Sequence, residues 1–510
     1  MILNILDYLE QSGDKYPDKI AFADEKKSVT YLSLINQARN IGAILANSIN
    51  SQLRKPVVVF VDRNIECLIS FMGIAYSGNF YVPIDSKMPK QRVELMFDTL
   101  QPVAAITISA SDLEMLDSIN YNGIRLQFQD AALQTVDTSL LNSIRKRHID
   151  IDPVYAIFTS GSTGVPKGVV INHKSVIDLT EWLVSTFSFT QDDVIGNQTP
   201  FYFDGSVKDI YIAIKTGATL YIVPRKCFAF PKLLADFLNE KQVTAILWAT
   251  SAVCLVGNSN ILAEQEFKHI NKVFFAGEAM PAKQLNVWRK HIPKAKYINL
   301  YGPTEITVDC TYFEVDRDFP DDEYIPIGFP CRNKEIIILN DQNQHVNADE
   351  SGELCVRGTG VALGYYNNPE KTKEVFIQNP MHNFYEDIIY RTGDIVKYNT
   401  NNEIVFLSRK DFQVKHMGNR IELGEIEVTV NAIENITNAS CIYDSEAQKI
   451  VLYYTTDNGK ELDIINSIKN NLPKYMFPNI SIHIEKMPYN FNGKIDRLKL
   501  KELYQNEKNR

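Results

Sequence analysis

The chain has 510 residues, 45% of them hydrophobic and 23% charged, and a formal charge of −9. That length exceeds one ordinary core, so two or three domains of ordinary globular composition are expected. The negative balance disfavours broad nucleic-acid binding, and no uninterrupted apolar run is long enough to span a bilayer, so neither a nucleic-acid nor a membrane partner is expected. The N-terminus has acidic residues within its first ten and lacks signal-peptide architecture, and the seven scattered cysteines form no C-x-x-C pair. A disulfide framework and a structural zinc site are therefore both disfavoured, and the cytoplasm is the expected compartment.

From the start to about residue 400, apolar strand-like runs alternate with longer amphipathic stretches, for example at 56–61, 218–223 and 273–276. This pattern predicts α/β sheets covered by helices. A further run, Val154-Tyr155-Ala156-Ile157-Phe158, leads into Thr159-Ser160-Gly161-Ser162-Thr163-Gly164-Val165-Pro166-Lys167-Gly168, with an apolar helical candidate beyond it. Later, Phe203-Asp204-Gly205-Ser206 precedes a helical candidate at 207–214, where Asp204 would suit an N-cap. The polar run at 398–402 reads as a hairpin turn, and Ser408-Arg409-Lys410-Asp411 as a short hinge. The last hundred residues read as a small α+β unit, with strands near 411–415 and 450–455 and helices near 423–433 and 461–471. The expected division is a large domain over 1–409 and a small one over 410–510.

The 159–168 stretch is the most informative. Its small hydroxyl residues and glycines cannot fill a core, but they can present hydroxyls and backbone N–H groups to an anion, with Lys167 as a point charge. It is not a Walker A loop, because Gly168 follows the lysine where that motif needs Ser or Thr. From composition alone, a flexible linker and a polyphosphate cradle are equally good readings.

Other motifs separate the two. In order they are Tyr76 to Arg92 (YSGNFYVPIDSKMPKQR), Phe203-Asp204-Gly205-Ser206, Tyr301-Gly302-Pro303-Thr304-Glu305, and Gly352-Glu353-Leu354 continuing to Gly364-Tyr365-Tyr366. Then come Tyr390-Arg391-Thr392-Gly393-Asp394, Ser408 to Lys415, Arg420 to Glu427, and Asn492-Gly493-Lys494-Ile495-Asp496-Arg497. With the 159–168 loop, this ordered set resembles the adenylate-forming enzymes: acyl-CoA synthetases, luciferases and nonribosomal-peptide adenylation domains. The resemblance covers essentially the whole chain.

The resemblance implies ATP and Mg²⁺ as cofactors and activation of a carboxylate as its adenylate. Thr159, Ser160, Gly161, Ser162, Thr163, Gly164 and Lys167 would hold the phosphates, and Glu305 the magnesium. Gly277, Tyr301, Gly302 and Thr304 would border the nucleotide, Tyr301 by stacking on adenine, while Asp394 and Arg409 would meet the ribose. Lys494, together with Thr163 and Glu305, would act in catalysis; Lys494 would swing in as charge moves during attack and leave for thiol transfer, with Asp411 as hinge. Ser408 stands where the family usually has glycine, and Met417 and Asn419 flank Gly418.

Asp204 points to an amino-acid substrate, because a carboxylate on an otherwise apolar wall needs a cation and an α-ammonium supplies one. The family's side-chain pocket, laid on this sequence, comprises Asp204, Gly205, Lys208, Trp248, Phe274, Ala276, Leu300, Val308 and Asp309. Lys208 and Asp309 either pair or meet a polar substrate group, which favours a polar or acidic side chain of small to medium size. Neither a condensation-type H-H-x-x-x-D-G nor a carrier-type G-G-x-S occurs, so a separate phosphopantetheine carrier protein, or a small thiol, would be the acceptor. The alternatives are a D-alanine–carrier protein ligase, an acyl-CoA-type ligase and a non-catalytic binding relative. Ala276, where the D-alanine enzymes usually carry cysteine, and Glu422-Leu423-Gly424-Glu425 favour the peptide-synthetase type. Retention of Lys167, Glu305, Asp394 and Lys494 opposes the non-catalytic reading.

Overall fold

A computed structural model describes residues 2–134, 137–161, 164–321, 323–347, 350–410, 413–457, 459–489 and 495–508. The chain forms two compact units. The first comprises Met1–Ser86, Leu100–Ile157 and Gly168–Lys410; the second comprises Lys87–Thr99, Phe158–Lys167 and Asp411–Arg510.

The first unit is α/β, built on three sheets. A nine-stranded sheet runs in the order Phe329–Pro330, Thr311–Glu314, Lys296–Tyr301, Lys272–Ala276, Ala245–Ala249, Val194–Asn197, Thr219–Ile222, Ile20–Ala23 and Ser28–Thr30. Its central strands are parallel and buried on both faces, which is why they read as continuous apolar runs. Alternation still decides which face each side chain joins. Leu247, Phe274, Ile298 and Leu300 enter the main core with helices His173–Phe187 and Gly205–Thr216, whereas Trp248, Val273, Phe275 and Tyr297 enter a separate core on the other side.

A seven-stranded sheet has the order Gly364–Tyr365, Lys167–Asn172, Pro153–Thr159, Phe80–Asp85, Pro56–Val61, Ala104–Thr107 and Ile124–Gln127. The 159–167 loop therefore joins two adjacent strands, and the expected helix, His173–Phe187, begins only after the strand Lys167–Asn172. Val169-Val170-Ile171 is β-branched and wholly buried, a composition that suits a central strand better than a helix start. The third sheet pairs Ile388–Tyr398 with Gly352–Gly358, Phe376–Gln378 and Ile404–Arg409, the last through the 398–402 turn expected from its polar run. Among the described residues, no helix is long and apolar enough to cross a membrane.

In the second unit, the hairpin Gln413–His416 with Asn419–Glu422 leads into helix Leu423–Asn431 and a three-stranded sheet, Ile436–Asp444, Lys449–Thr456 and Ile480–His483. The period of two in Lys449–Thr456 serves both faces of that sheet. Ile450, Leu452 and Tyr454 pack under helix Leu423–Asn431, while Val451 and Tyr453 pack with Met487 and Leu500. Helix 461–471 is shorter than expected, spanning only Ile464–Ile468, with Asp463 capping it through Asn466 N.

Arg92 and Glu425 form a buried ion pair in this unit, their side chains 5% and 1% exposed. Burial works against the guanidinium charge, but the Glu425 carboxylate outweighs it and the Arg92 pKa is raised. Removing one member strands the other. Arg92→Met is expected to cost about 3–5 kcal/mol of stability, most of it recovered in Arg92→Met/Glu425→Leu. Urea midpoints of the two variants check this.

Candidate active site

Helix Gly205–Thr216 begins at Asp204, yet Asp204 makes no side-chain cap hydrogen bond and its own backbone is helical. Its carboxylate instead accepts from Thr304, and burial raises its pKa, with Lys208 opposing and Asp309 and Glu305 reinforcing the shift. The segment leading to it is pinned from behind. Arg63 donates to the carbonyls of Gln198 (2.5 Å), Asn197 (2.8 Å) and Val223 (3.1 Å), and Asn197 Nδ2 donates to Asp209 Oδ2 at 2.6 Å and to the Thr199 carbonyl at 3.1 Å. Burial pushes Asp209 up to about 7. None of this support was visible in the spacing of the motif.

One turn along the helix, Lys208 Nζ lies 3.2 Å from both carboxylate oxygens of Asp309, with the two side chains 3% and 1% exposed. The sequence left open whether these residues pair with each other or with a substrate; in the structure they pair. Asp309 reaches this position through a strained turn. Thr307 and Val308 both have positive φ, 58° and 70°, a rare conformation for β-branched residues. Thr307 Oγ1 donates to the Gly360 carbonyl at 2.8 Å, and Lys334 Nζ donates to the carbonyls of Ile306 and Asp309. Gly302 belongs to the same device, because a Cβ there would sit 2.4 Å from the Val308 carbonyl oxygen. Lys334 was not foreseen; its neighbourhood in the sequence is an ordinary strand.

Phe274, Ala276 and Leu300 share the face of the nine-stranded sheet toward the main core, with Phe274 in T-shaped contact with Phe187 at 4.9 Å. Trp248 does not join them. It is register-paired with Phe275, faces the opposite core, meets Phe228 in a T-shaped contact at 5.2 Å and donates from Nε1 to the Gly196 carbonyl at 2.7 Å. Its neighbours on either side, Leu247, paired with Phe274, and Ala249, paired with Ala276, are the residues of this strand on the face of Phe274 and Ala276. The expectation failed by one residue, and in a strand one residue is the difference between two faces.

Three of the residues expected around the nucleoside, Tyr301, Asp394 and Arg409, are joined. Tyr301 donates its hydroxyl to Asp394 Oδ2, and Arg409 Nη1 donates to Asp394 Oδ1 at 2.5 Å. Asp394 and Arg409 are direct partners on adjacent strands, and Arg409 also donates to the Thr392 carbonyl at 3.1 Å. Burial, reinforced by Asp394, holds Tyr301 well above the usual phenol range, so it remains a donor. Glu305 is fully buried at the end of a short 3₁₀ turn, Thr304–Ile306, and accepts from the Tyr365 hydroxyl at 2.7 Å. Tyr365 is the phenol of the Gly-Tyr-Tyr motif, which sequence reading had quoted without a role. Gly277 has φ +100° and nothing within 4 Å of where a Cβ would be, so its backbone borders open space.

The phosphate-loop candidate belongs to the second unit. Ser160 Oγ donates to the Arg420 carbonyl at 3.0 Å and accepts from Glu422 N at 3.2 Å, and Lys167 Nζ lies 3.8 Å from Glu422. The buried Thr159 hydroxyl has no hydrogen-bond partner among the described residues. Gly161 meets Glu425 through its backbone, and Gly164 has φ +84°. Ser162, Thr163, Asp411 and Lys494 lie outside the described residues. Within the first unit, a carboxylate held by a phenol and a guanidinium has the chemistry to receive a sugar; within the second, a hydroxyl-rich loop with a lysine has the chemistry to receive an anion.

The profile of the family described as AMP-binding enzyme matches residues 9–366. Tyrocidine synthase 1 of Brevibacillus parabrevis is 31% identical over 497 residues, covering 97% of this chain and 44% of that protein. D-alanine–D-alanyl carrier protein ligase of Bacillus licheniformis is 30% identical over 522 residues, covering 98% of this chain and 99% of that protein. A solved Vibrio cholerae adenylation domain, AlmE, in complex with glycyl-adenosine-5'-phosphate superposes with TM-score 0.83 at 21% identity, covering 99% of this chain and 98% of that one. The chain therefore belongs to the AMP-binding enzyme family, with the adenylate-forming fold. It spans 44%, 9% and 6% of the length of three peptide synthetases that it matches.

Proposed function

We propose that this chain activates an amino acid with ATP as aminoacyl-AMP, releasing pyrophosphate, and then passes the aminoacyl group to the phosphopantetheine thiol of a separate carrier protein. The observation that carries the reading is Asp204: a carboxylate at a helix start that caps nothing, in surroundings that disfavour its charge until a cation arrives. An α-ammonium is that cation, and it fixes the substrate's carboxylate relative to Asp204. Asp394, with Tyr301 and Arg409, would receive the ribose hydroxyls, and the 159–167 loop the outer phosphates. Lys494 would stabilise the charge that builds as the carboxylate attacks the α-phosphate, with the small domain, 410–510, moving about Asp411 between the two half-reactions.

Magnesium favours one or two carboxylates together with phosphate oxygens, and the buried carboxylate of Glu305 fits that donor set. When bound, the ion would screen the phosphate charges. Tyr365, by donating to Glu305, orients the carboxylate for it.

Pyrophosphate release with a panel of amino acids tests the reading. Amino-acid-dependent release supports it, and release with fatty or aryl acids alone overturns it. A second reading, D-alanine activation, draws on the end-to-end match to the D-alanyl carrier protein ligase. The buried Lys208–Asp309 pair is a poor lining for a methyl side chain, and the same panel separates the two.

The carrier partner makes a prediction about charge. From Lys474 to Arg510 the chain has eight Lys or Arg against four acids. Arg497 is engaged by Glu427 and Lys508 by Asp444, but Lys499 and Lys501 are exposed on helix Arg497–Lys508. Carrier loading is expected to weaken with ionic strength more steeply than pyrophosphate release, and Lys499→Glu/Lys501→Glu to weaken loading alone. Matching salt profiles for the two half-reactions would remove this docking surface.

A further inference from the structure

We infer that the side-chain pocket selects a carboxamide-bearing amino acid and that Tyr155 is one of its specificity-determining residues. This rests on the amino-acid reading above and adds the class of side chain to it.

Tyr155 lies on the strand Pro153–Thr159, fully buried, and its hydroxyl has no hydrogen-bond partner among the described residues. The neighbouring hydroxyls of Tyr81 and Tyr211 satisfy each other at 3.0 Å, which leaves Tyr155 as the odd one out. The Tyr155 ring lies 5.7 Å from that of Tyr81, whose hydroxyl meets Tyr211 on helix Gly205–Thr216, the helix that carries Lys208 and begins at Asp204, so Tyr155 packs beside the element that bears the pocket's charged residues. Asp309 Oδ2 is likewise buried without a hydrogen bond, although Lys208 Nζ is 3.2 Å away. Lys208 has three donors and, among the described residues, donates one hydrogen bond, to Asp309 Oδ1. Buried polar atoms are normally matched, and an unmatched donor and acceptor in one buried region describe the complement of a ligand.

Charge narrows the ligand. Lys208 and Asp309 neutralise each other, so a side-chain carboxylate would bring an uncompensated charge beside Asp309, and an ammonium would do the same beside Lys208. An aliphatic side chain would leave Tyr155, Lys208 and Asp309 unmatched after water is expelled. A carboxamide is neutral, offers its carbonyl to the Tyr155 hydroxyl or the Lys208 ammonium, and offers its N–H₂ to Asp309 Oδ2. A hydroxyl side chain carries a donor and an acceptor on one atom, whereas the amide places them on two, as the separate orphan atoms require. Tyr155 is four residues before Thr159, in a strand that reads as core, so pattern alone marked it as packing.

The test is amino-acid-dependent ATP–pyrophosphate exchange by the full chain with asparagine, glutamine, aspartate, glutamate, serine, threonine and leucine. One of the two amides should exceed its acid by about a hundredfold or more in kcat/KM. Tyr155→Phe should raise KM for that amide about tenfold while KM for ATP stays unchanged. The double variant Lys208→Met/Asp309→Leu, which removes both charges together, should shift preference toward leucine or methionine. A wild-type preference for an acid, a hydroxyl or an aliphatic side chain overturns the inference, as does a Tyr155→Phe variant with unaltered KM for the amide. Exchange with non-amino carboxylic acids alone would overturn the amino-acid reading itself, a distinct outcome.

Discussion

Lys494→Ala is expected to depress adenylate formation by about a hundred- to a thousandfold while leaving transfer from a preformed adenylate to the carrier thiol largely intact. The reason is the asymmetry of the two steps. Attack of a carboxylate on the α-phosphate brings two anions together and shifts negative charge toward the departing pyrophosphate, so a mobile cation supplies stabilisation that exists only in the transition state. Thiol transfer expels AMP from an already activated carbonyl and has no such need. Pyrophosphate release reads the first step, and single-turnover loading from synthetic aminoacyl-AMP reads the second. Equal loss in both, with the fold preserved by circular dichroism, would remove the proposal that the small domain alternates between two positions.

The second large effect is expected at Asp204. Asp204→Ala should cost about 2–5 kcal/mol of transition-state binding, roughly thirty- to several-thousandfold in kcat/KM for the amino acid, with little change in KM for ATP. The loss combines the missing attraction with the penalty of leaving the substrate ammonium without a counter-charge in a dry site. Because burial raises the pKa of Asp204, kcat/KM should fall on acidification at a higher pH than a solvated aspartate would impose. Protonation removes the charge that attracts the ammonium, so the direction is loss of activity as pH falls through the raised pKa; in Asp204→Asn that limb disappears. Normal use of the amino acid by Asp204→Ala would reduce Asp204 to the first residue of a helix.

Part of the candidate site was legible in the motifs that carry the family resemblance. Tyr301, Asp394 and Arg409 were named for the nucleoside from their motifs, and the structure joins all three through one carboxylate. Asp204 was open to two readings, which could coexist; the structure shows no cap hydrogen bond from its side chain, and the pocket role stands as the proposal. The residues that hold these groups in place were not legible. Lys334, Arg63 and Asn197 act through carbonyls and a buried aspartate distant in sequence, and carbonyl partners leave no mark on composition.

By itself the sequence determined the α/β class, the strands with β-branched apolar runs, the family and the identity of the charged residues. The fold class and the strands follow from local periodicity, and the family from the ordered resemblance of the motifs. Tertiary structure alone decided which of those residues meet. Lys208 pairs with Asp309 across 101 positions. That pairing needs a strained turn at Thr307 and Val308, whose conformation is imposed by distant partners rather than by preference. The family resemblance implies Trp248 in the pocket, but the two-residue period of the strand sends it to the opposite core and leaves Leu247 and Ala249 on the face of Phe274 and Ala276. Local pattern reports what a side chain can do; only the register of the folded sheet sets the face on which it does it.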